Sequence, residues 1–378
     1  MGREDDLYRW EEEFYSKDRK AARKERKIAS SKDRSKFKKT DQDQLKKQAQ
    51  LRESSNDQET LAQGRVLAIA LDGIVVDAAG EELLCTLKGS LKQDKTRAKN
   101  LIAVGDIVRF ENKGNRQGII CSIEERHSIL SRADNLSRNK EQLIAVNIDQ
   151  VIITCSVVQP MLKPPLVDRY IIAALKGNMR PIVVVNKIDL FDHPPSHFSE
   201  IDIEVEKEIY AEFLKGYGNL DFPLVPVSST TREGIDSLRD LMRGKTSVFS
   251  GQSGVGKSSL INLMTGTTIR TGSIVHKTGK GSHTTTTTHL IPLACGGFCI
   301  DTPGIRSFGM WDLKKEEIAQ YFPEITRLSS ECRYPDCSHL TEPHCAVQKA
   351  LEEEKISSLR FESYCSLMTS ISQQHRLR

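Results

Sequence analysis

The sequence predicts a multidomain chain. It should consist of an N-terminal five-stranded β-barrel of the oligonucleotide-binding (OB) type, a central α/β domain built on a parallel sheet, and a C-terminal helical domain carrying cysteines and histidines. Three observations lead there. Short Gly-punctuated β-type runs follow one another from residue 64 with no helical pattern between them. From about residue 148 buried apolar runs alternate with helical segments, and the final stretch joins helical spacing to a Cys/His cluster. At 378 residues the chain is long enough to bury more than one core.

Residues 1–60 lack apolar periodicity and are rich in Lys, Gln, Asp and Ser, so they read as a basic, disordered tail. The start, "MGREDDLYRWEEEFYSKDRK", is acidic where a signal peptide would be basic and then apolar, which argues against export. No run reaches the roughly 18 to 20 apolar residues a bilayer crossing needs, so no membrane role is expected. Nine cysteines without a secretory signal point to reduced thiols or metal ligands, and thus to the cytoplasm. Net charge is only +4, yet residues 16–39, "SKDRKAARKERKIASSKDRSKFKK", are mostly Lys and Arg. Such a run attracts polyanions, nucleic acid above all, unless it is only a solvated tail.

The barrel is expected over residues 61–130, its strands carried by "GRVLAIAL", "GIVVDAA", "ELLCTLKG", "GDIVRFEN" and "QGIICSIEE". Between the third and fourth, "LKQDKTRAKNLIAVGD" adds Lys92, Lys95, Arg97 and Lys99, a loop suited to nucleic-acid backbone or simply solvated. A short polar stretch, "RADNLSRNKEQLIAVNIDQ", leads into the central domain over residues 135–308. There "VIITCSVV", "PIVVVN", "FPLVPVSS", "TSVFSG" and "FCIDTPGI" read as extended. "LVDRYIIAALKGN", "IEVEKEIYAEFLKGYG" and "GIDSLRDLMRG" read as helices between them, as in a parallel sheet.

"FSGQSGVGKSSLINLM", residues 249–264, has strand, Gly-rich loop and helix in the order a phosphate loop requires. Backbone N–H groups of Gly251, Gln252, Ser253, Gly254, Val255 and Gly256 can turn toward phosphate oxygens. The helix end at Lys257, Ser258 and Ser259 adds its positive dipole. Lys257 should reach the β- and γ-phosphates and Ser258 should ligate Mg²⁺. "NKID", residues Asn186, Lys187, Ile188 and Asp189, stands at the carboxyl end of a buried strand, where open α/β sheets bind ligands. An Asp189 carboxylate can accept from guanine N1–H and the 2-amino group together; adenine offers neither there. Asn186 would brace the loop and the Lys187 stem would cover the base, with Ser228 and Ser229 of "VPVSS" against it. Asp301 of "DTPG" would position Mg²⁺ through water, and the Gly304 N–H would sense the γ-phosphate. In "GSHTTTTTH" a threonine should complete the Mg²⁺ shell, Thr285 first and Thr284 next.

The residue after DTPG is Ile305, which has no group to orient water, so His283 is the candidate catalytic residue; a surface-loop histidine is the competing reading. "CRYPDCSHLTEPHC" places Cys332, Cys337, His339 and Cys345 within fourteen residues, three thiolates and an imidazole suited to one structural Zn²⁺. His344 is a substitute ligand. Residues 309–378 form this domain.

The order NKID, VSS, phosphate loop, Thr loop, DTPG is a circular permutation of the usual GTPase order. With an OB-like barrel before it and CX4CXHX5C after it, the chain resembles the RsgA/YjeQ family of circularly permuted GTPases over about residues 64–365. That resemblance implies GTP hydrolysis to GDP stimulated by the small ribosomal subunit during its late maturation. It implies 16S rRNA binding through the barrel and zinc domains, a catalytic role for His283, and no DNA or membrane partner. The chain is expected to act as a monomer. The threonines after HTTT and the long charged tail depart from the family pattern.

Overall fold

The computed structural model describes residues 61–70, 72–89, 91, 101–134, 137–266, 288–301 and 313–376. Several expectations lie outside them: the tail 1–60, the basic loop with Lys92, Lys95, Arg97 and Lys99, and His283, Thr284, Thr285, Gly304 and Ile305.

Five strands, β1 (Ala62–Ile69), β2 (Ile74–Ala78), β3 (Glu81–Leu87), β4 (Ile107–Gly114) and β5 (Gln117–Ile123), form a closed barrel in the order β1-β2-β3-β5-β4. All pairs are antiparallel except β3–β5, and β1–β4 closes the barrel. The turns Ala79–Gly80 and Asn115–Arg116 have positive φ at both residues, which matches the twist of their hairpins. Val66, Val76, Cys85, Val108, Phe110 and Ile120 fill the interior.

The polar stretch after the barrel is a hairpin, not a connector: β6 (Ile129–Asp134) pairs with β7 (Ser137–Val146). Its residues alternate too weakly in polarity to announce strands. Buried Asp106 accepts from Ala103 N–H at 2.7 Å and from Arg126 Nε and Nη2 at 2.7 and 2.8 Å. Asn147 donates to the Gly105 carbonyl at 3.0 Å, tying the end of the hairpin to the barrel. Gly105 is required here, because at φ +94° a Cβ would stand 2.0 Å from the Val146 carbonyl oxygen.

Six strands make the central sheet: β8 (Gln150–Ser156), β9 (Arg180–Asn186), β10 (Leu224–Pro226), β11 (Lys245–Ser250), β12 (His289–Pro292) and β13 (Gly297–Asp301). Their order is β10-β9-β8-β11-β13-β12, parallel apart from the edge strand β12, which folds back on β13. Successive residues of each strand face opposite sides. Val151, Ile153, Val183 and Val185 pack under α1 (Pro164–Lys176) and α2 (Glu200–Tyr217). Ile152, Ile182, Val184 and Phe249 pack under α3 (Ile235–Met242) and α4 (Lys257–Thr265). This two-sided burial is why the strands read as unbroken apolar runs.

Beyond the sheet, α5 (Pro323–Ser329), α6 (Ala346–Glu352) and α7 (Ser358–Arg376) gather around Phe322, Ile325, Val347, Tyr364 and Leu367. Ile172 of α1 joins that cluster, so the C-terminal helices share a core with the central domain. Among the described residues no helix is long and apolar enough to cross a membrane.

Candidate nucleotide site and metal centre

The sheet ends its parallel strands on one edge, and the sequence-predicted loops meet there. β11 runs into the Gly-rich loop and α4, and β9 ends at Asn186. β13 ends at Asp301, whose backbone pairs with His289. Glycine is obligatory at two points of the Gly-rich loop. A Cβ on Gly251 would lie 2.0 Å from the Thr154 carbonyl oxygen, and one on Gly256 would lie 2.2 Å from Asn186 Nδ2. Both glycines have positive φ, +140° and +94°.

Asn186, fully buried, joins three loops. Its Nδ2 donates to the Val255 carbonyl at 2.8 Å, while its Oδ1 accepts the Ser229 N–H at 3.0 Å. Lys187 follows in the left-handed region, turning the chain into the 3₁₀ turn Ile188–Phe191. Its ammonium donates to the Gln159 carbonyl at 2.7 Å; burial lowers its pKa, and Asp189 opposes that shift. Asp189 accepts from the Ser228 hydroxyl at 2.6 Å. Ser228 is itself buried, accepting from the N–H groups of Thr230 and Thr231 at 3.2 and 3.0 Å. Its hydroxyl thus fixes a carboxylate.

Lys257 opens α4 and donates to the carbonyls of Gly251 and Gln252 at 2.7 and 2.6 Å. Ser253, Gly254 and Ser259 are exposed, and Ser258 is half-buried in the first helical turn. Ser258 lies in the first turn of α4, and β13 ends at Asp301. Sequence reasoning missed the β8–α1 loop. There the Gln159 carbonyl takes Lys187, and the Met161 carbonyl accepts from the Gln252 amide at 3.4 Å. Its sequence, "QPMLKPP", carries no signal of such a contact.

A second centre lies in the C-terminal helices. The ligand atoms of Cys332, Cys337, His339 and Cys345 all fall within 4.8 Å of one another. Cys332 Sγ and Cys345 Sγ are 3.9 Å apart and stand 3.5 and 3.4 Å from His339 Nδ1. Tetrahedral zinc with bonds of about 2.3 Å to sulfur and 2.0–2.1 Å to nitrogen implies edges of about 3.8 and 3.6 Å, so the donor set fits that ion. His339 Nε2 faces the Ser329 hydroxyl at 3.0 Å, leaving Nδ1 toward the thiols. Burial pushes the Cys337 thiol up to about 12, and the neighbouring thiols add to that. The His339 imidazole is shifted down by burial, with Glu342 opposing. Glu342 braces the loop, accepting from Ser338 N–H and Oγ and from the Leu340 and Thr341 N–H groups. His344 is not part of the cluster.

A parallel sheet carrying a Gly-rich phosphate loop and an NKID segment on one edge, in permuted chain order, defines a circularly permuted GTPase. Comparison with known proteins agrees: a family model described as RsgA GTPase matches residues 123–311. The chain is 40% identical over 310 residues to the Small ribosomal subunit biogenesis GTPase RsgA of Chlorobaculum parvum, covering 79% of this chain and 94% of that one. It is 36% identical over 291 residues to the protein of the same name from Bacteroides fragilis, covering 76% and 90%. Among solved structures, YjeQ from Thermotoga maritima superposes with a TM-score of 0.64 at 29% identity, covering 82% of this chain and 98% of that one. YloQ, described as a circularly permuted GTPase, gives 0.62 at 28% identity, covering 84% and 97%. The chain belongs to the RsgA GTPase family and is a GTP-hydrolysing enzyme.

Proposed function

We propose that this GTPase acts on the small (30S) ribosomal subunit late in its maturation, with turnover stimulated by the subunit, as the names of its relatives suggest. The observation that supports the site most directly is the Asn186 side chain, which holds the NKID, VSS and phosphate loops together at one sheet edge. Asp189, fixed by Ser228, accepts from guanine N1–H and the 2-amino group, and Ser229 and the Lys187 stem flank the base. The Gly251–Ser258 backbone cradles the phosphates, and Lys257 exchanges its two carbonyl partners for phosphate oxygens.

Ser258 and Thr285 would hold Mg²⁺, with Asp301 acting through water; the ion supplies charge neutralisation on the phosphates. The Gly304 N–H reads the γ-phosphate. His283 orients the attacking water, a task Ile305 has no group to perform.

Cys332, Cys337, His339 and Cys345 would hold one structural zinc. The barrel (61–130) and the zinc domain (309–378), which flank the GTPase domain (135–308) in sequence, bind 16S rRNA. The enzyme works in the cytoplasm as a monomer, without membrane or DNA partners.

The test is steady-state GTP turnover by the full chain alone, with purified small subunits, and with lipid vesicles, alongside subunit binding at increasing salt. Turnover should rise with subunits only, and binding should weaken with salt. Turnover unchanged by subunits would sink the reading.

A further inference from the structure

A buried charge pair stands between the nucleotide site and the metal centre and belongs to neither. Asp168 of α1 and Arg360 of α7 are 0% and 2% exposed, and Tyr217, which ends α2, is fully buried beside them. Arg360 Nη1 donates to Asp168 Oδ1, and the Tyr217 hydroxyl donates to Asp168 Oδ2 at 2.5 Å. The guanidinium lies 5.2 Å from the Tyr217 ring centre. One carboxylate on α1 thus has one oxygen held by α7 and the other by α2.

Burying such a pair costs desolvation that apolar side chains of similar volume avoid, so stability alone is a poor reason for it; fixing one register of packing is its better-attested use. Here the register is that of the first turns of α1. Asp168 stands one turn after Pro164, the first residue of that helix, and the Tyr217 hydroxyl lies 3.4 Å from the Pro164 carbonyl oxygen. Three residues before Pro164, the Met161 carbonyl accepts from Gln252 Nε2 of the phosphate loop at 3.4 Å. Two residues further back, the Gln159 carbonyl accepts from Lys187 Nζ of NKID at 2.7 Å. The Ser156 hydroxyl donates to the Pro160 carbonyl at 2.7 Å and Leu162 is buried, so the segment has little slack.

The same face of α7 leads to the metal centre. Tyr364 stands one turn after Arg360, and its hydroxyl donates at 3.0 Å to the carbonyl of Ser338, between the ligands Cys337 and His339. Its ring meets that of Phe322 edge-on at 5.5 Å, and the Arg360 guanidinium lies 4.4 Å from the centre of the same Phe322 ring. Successive contacts therefore run from the metal loop through α7 to Asp168, and along α1 to both nucleotide loops.

We infer that the Arg360–Asp168 contact couples the metal loop to nucleotide retention, with both residues acting as positioning residues that touch neither nucleotide nor metal. An ordered metal loop holds α7, α7 holds α1, and α1 holds the carbonyls that orient Lys187 and Gln252. The inference rests on the assignment of those loops to guanine and phosphate and of the four ligands to zinc, and the test separates these from it.

Full-length protein, with its metal and after chelation, is loaded with N-methylanthraniloyl-GDP, chased with excess GDP, and melted in parallel. Binding of the label by the wild type tests the loop assignment by itself, and elemental analysis tests the metal assignment. Arg360→Met combined with Asp168→Asn leaves no charge unpaired between the two positions. This variant should release the label about 2- to 30-fold faster than the wild type, the range over which residues between coupled sites alter coupling. Stripping the metal should speed release from the wild type by a similar factor and leave the double variant unchanged, because its route is already cut. Arg360→Lys keeps the charge but loses the fork that reaches Asp168 and Glu324 together, and should show the same pattern if the double variant does not fold. Wild-type release from the metal-loaded variant, an unchanged rate on stripping the wild type, or equal acceleration of both proteins by stripping overturns the inference.

Discussion

The Asn186 side chain donates to the Val255 carbonyl at 2.8 Å, joining two segments 69 residues apart in sequence. The contact depends on Gly256 next door, where a Cβ would lie 2.2 Å from the same Asn186 nitrogen. The geometry of one loop is therefore a condition for the other.

Gly256→Ala should thus fold but lose GTP affinity by about 100-fold or more, since both the positive φ and the contact forbid a methyl. Asn186→Ala should lose less. It leaves the Val255 carbonyl and the Ser229 N–H unpaired, about 1–3 kcal/mol, or roughly 5- to 150-fold. Calorimetric titration with a non-hydrolysable GTP analogue reads both, and wild-type affinity in Gly256→Ala would contradict the coupling.

Base choice should rest on the Asp189 carboxylate, which Ser228 holds at 2.6 Å. Asp189→Asn replaces one acceptor oxygen with an N–H donor opposite the guanine 2-amino group. GTP affinity should fall by about 1–3 kcal/mol while affinity for xanthosine triphosphate, which presents a carbonyl at position 2, rises. Competition between the two nucleotides measures the exchange. A mutant with unaltered preference would remove Asp189 from base recognition.

Legibility followed chemistry more than shape. The barrel was readable because its short β-type runs are punctuated by glycine with no helical pattern between them. The sheet was readable because burial on both faces makes runs such as Val183–Val185 uninterrupted. The Gly-rich and NKID loops stood out as motifs because each tolerates few residue types, and the fold brings them together through Asn186. The β6–β7 hairpin was not readable, since its strands are defined by pairing in a polar stretch. Glu206 was not either: among Glu204, Lys207 and Glu208 it reads as one more solvated charge, and only the packing of α2 singles it out. Spacing put His339 first and left His344 as a substitute ligand; the fold brings His339, not His344, to the thiols.

Arg360 of α7 is the main polar tie between the C-terminal helices and the central domain. It pairs with Asp168 of α1, donates to Glu324 of α5 at 2.7 Å, and lies 4.4 Å from the Phe322 ring centre. Both partners of the first pair are buried, with side chains 3% and 1% exposed. Arg360→Met alone should cost about 3–5 kcal/mol, because it strands a buried carboxylate. Combining it with Asp168→Asn should cost less than the single change, because no buried charge is left unpaired there. Urea unfolding of the three proteins checks the order; a double variant less stable than Arg360→Met would contradict it.

Metal removal should act on the same C-terminal helices. Their core, around Phe322, Ile325 and Leu367, is small, and the loop from Cys332 to Cys345 carries no helix of its own to order it. One zinc per chain is expected by elemental analysis, and cobalt substitution should give the absorption of a three-sulfur, one-nitrogen tetrahedral site. Stripping the metal with a chelator should lower the hydrogen-exchange protection of residues 313–376 while leaving β8 and β9 protected, because the thiols lose the ion that offsets their burial. His339→Ala should abolish metal retention, and Ser329→Ala should weaken it by about 10- to 100-fold through the lost contact to Nε2. His344→Ala should retain the metal, since His344 stands outside the cluster. Loss of zinc in His344→Ala with retention in His339→Ala would reverse the ligand assignment and show that the loop closes around the ion in another register.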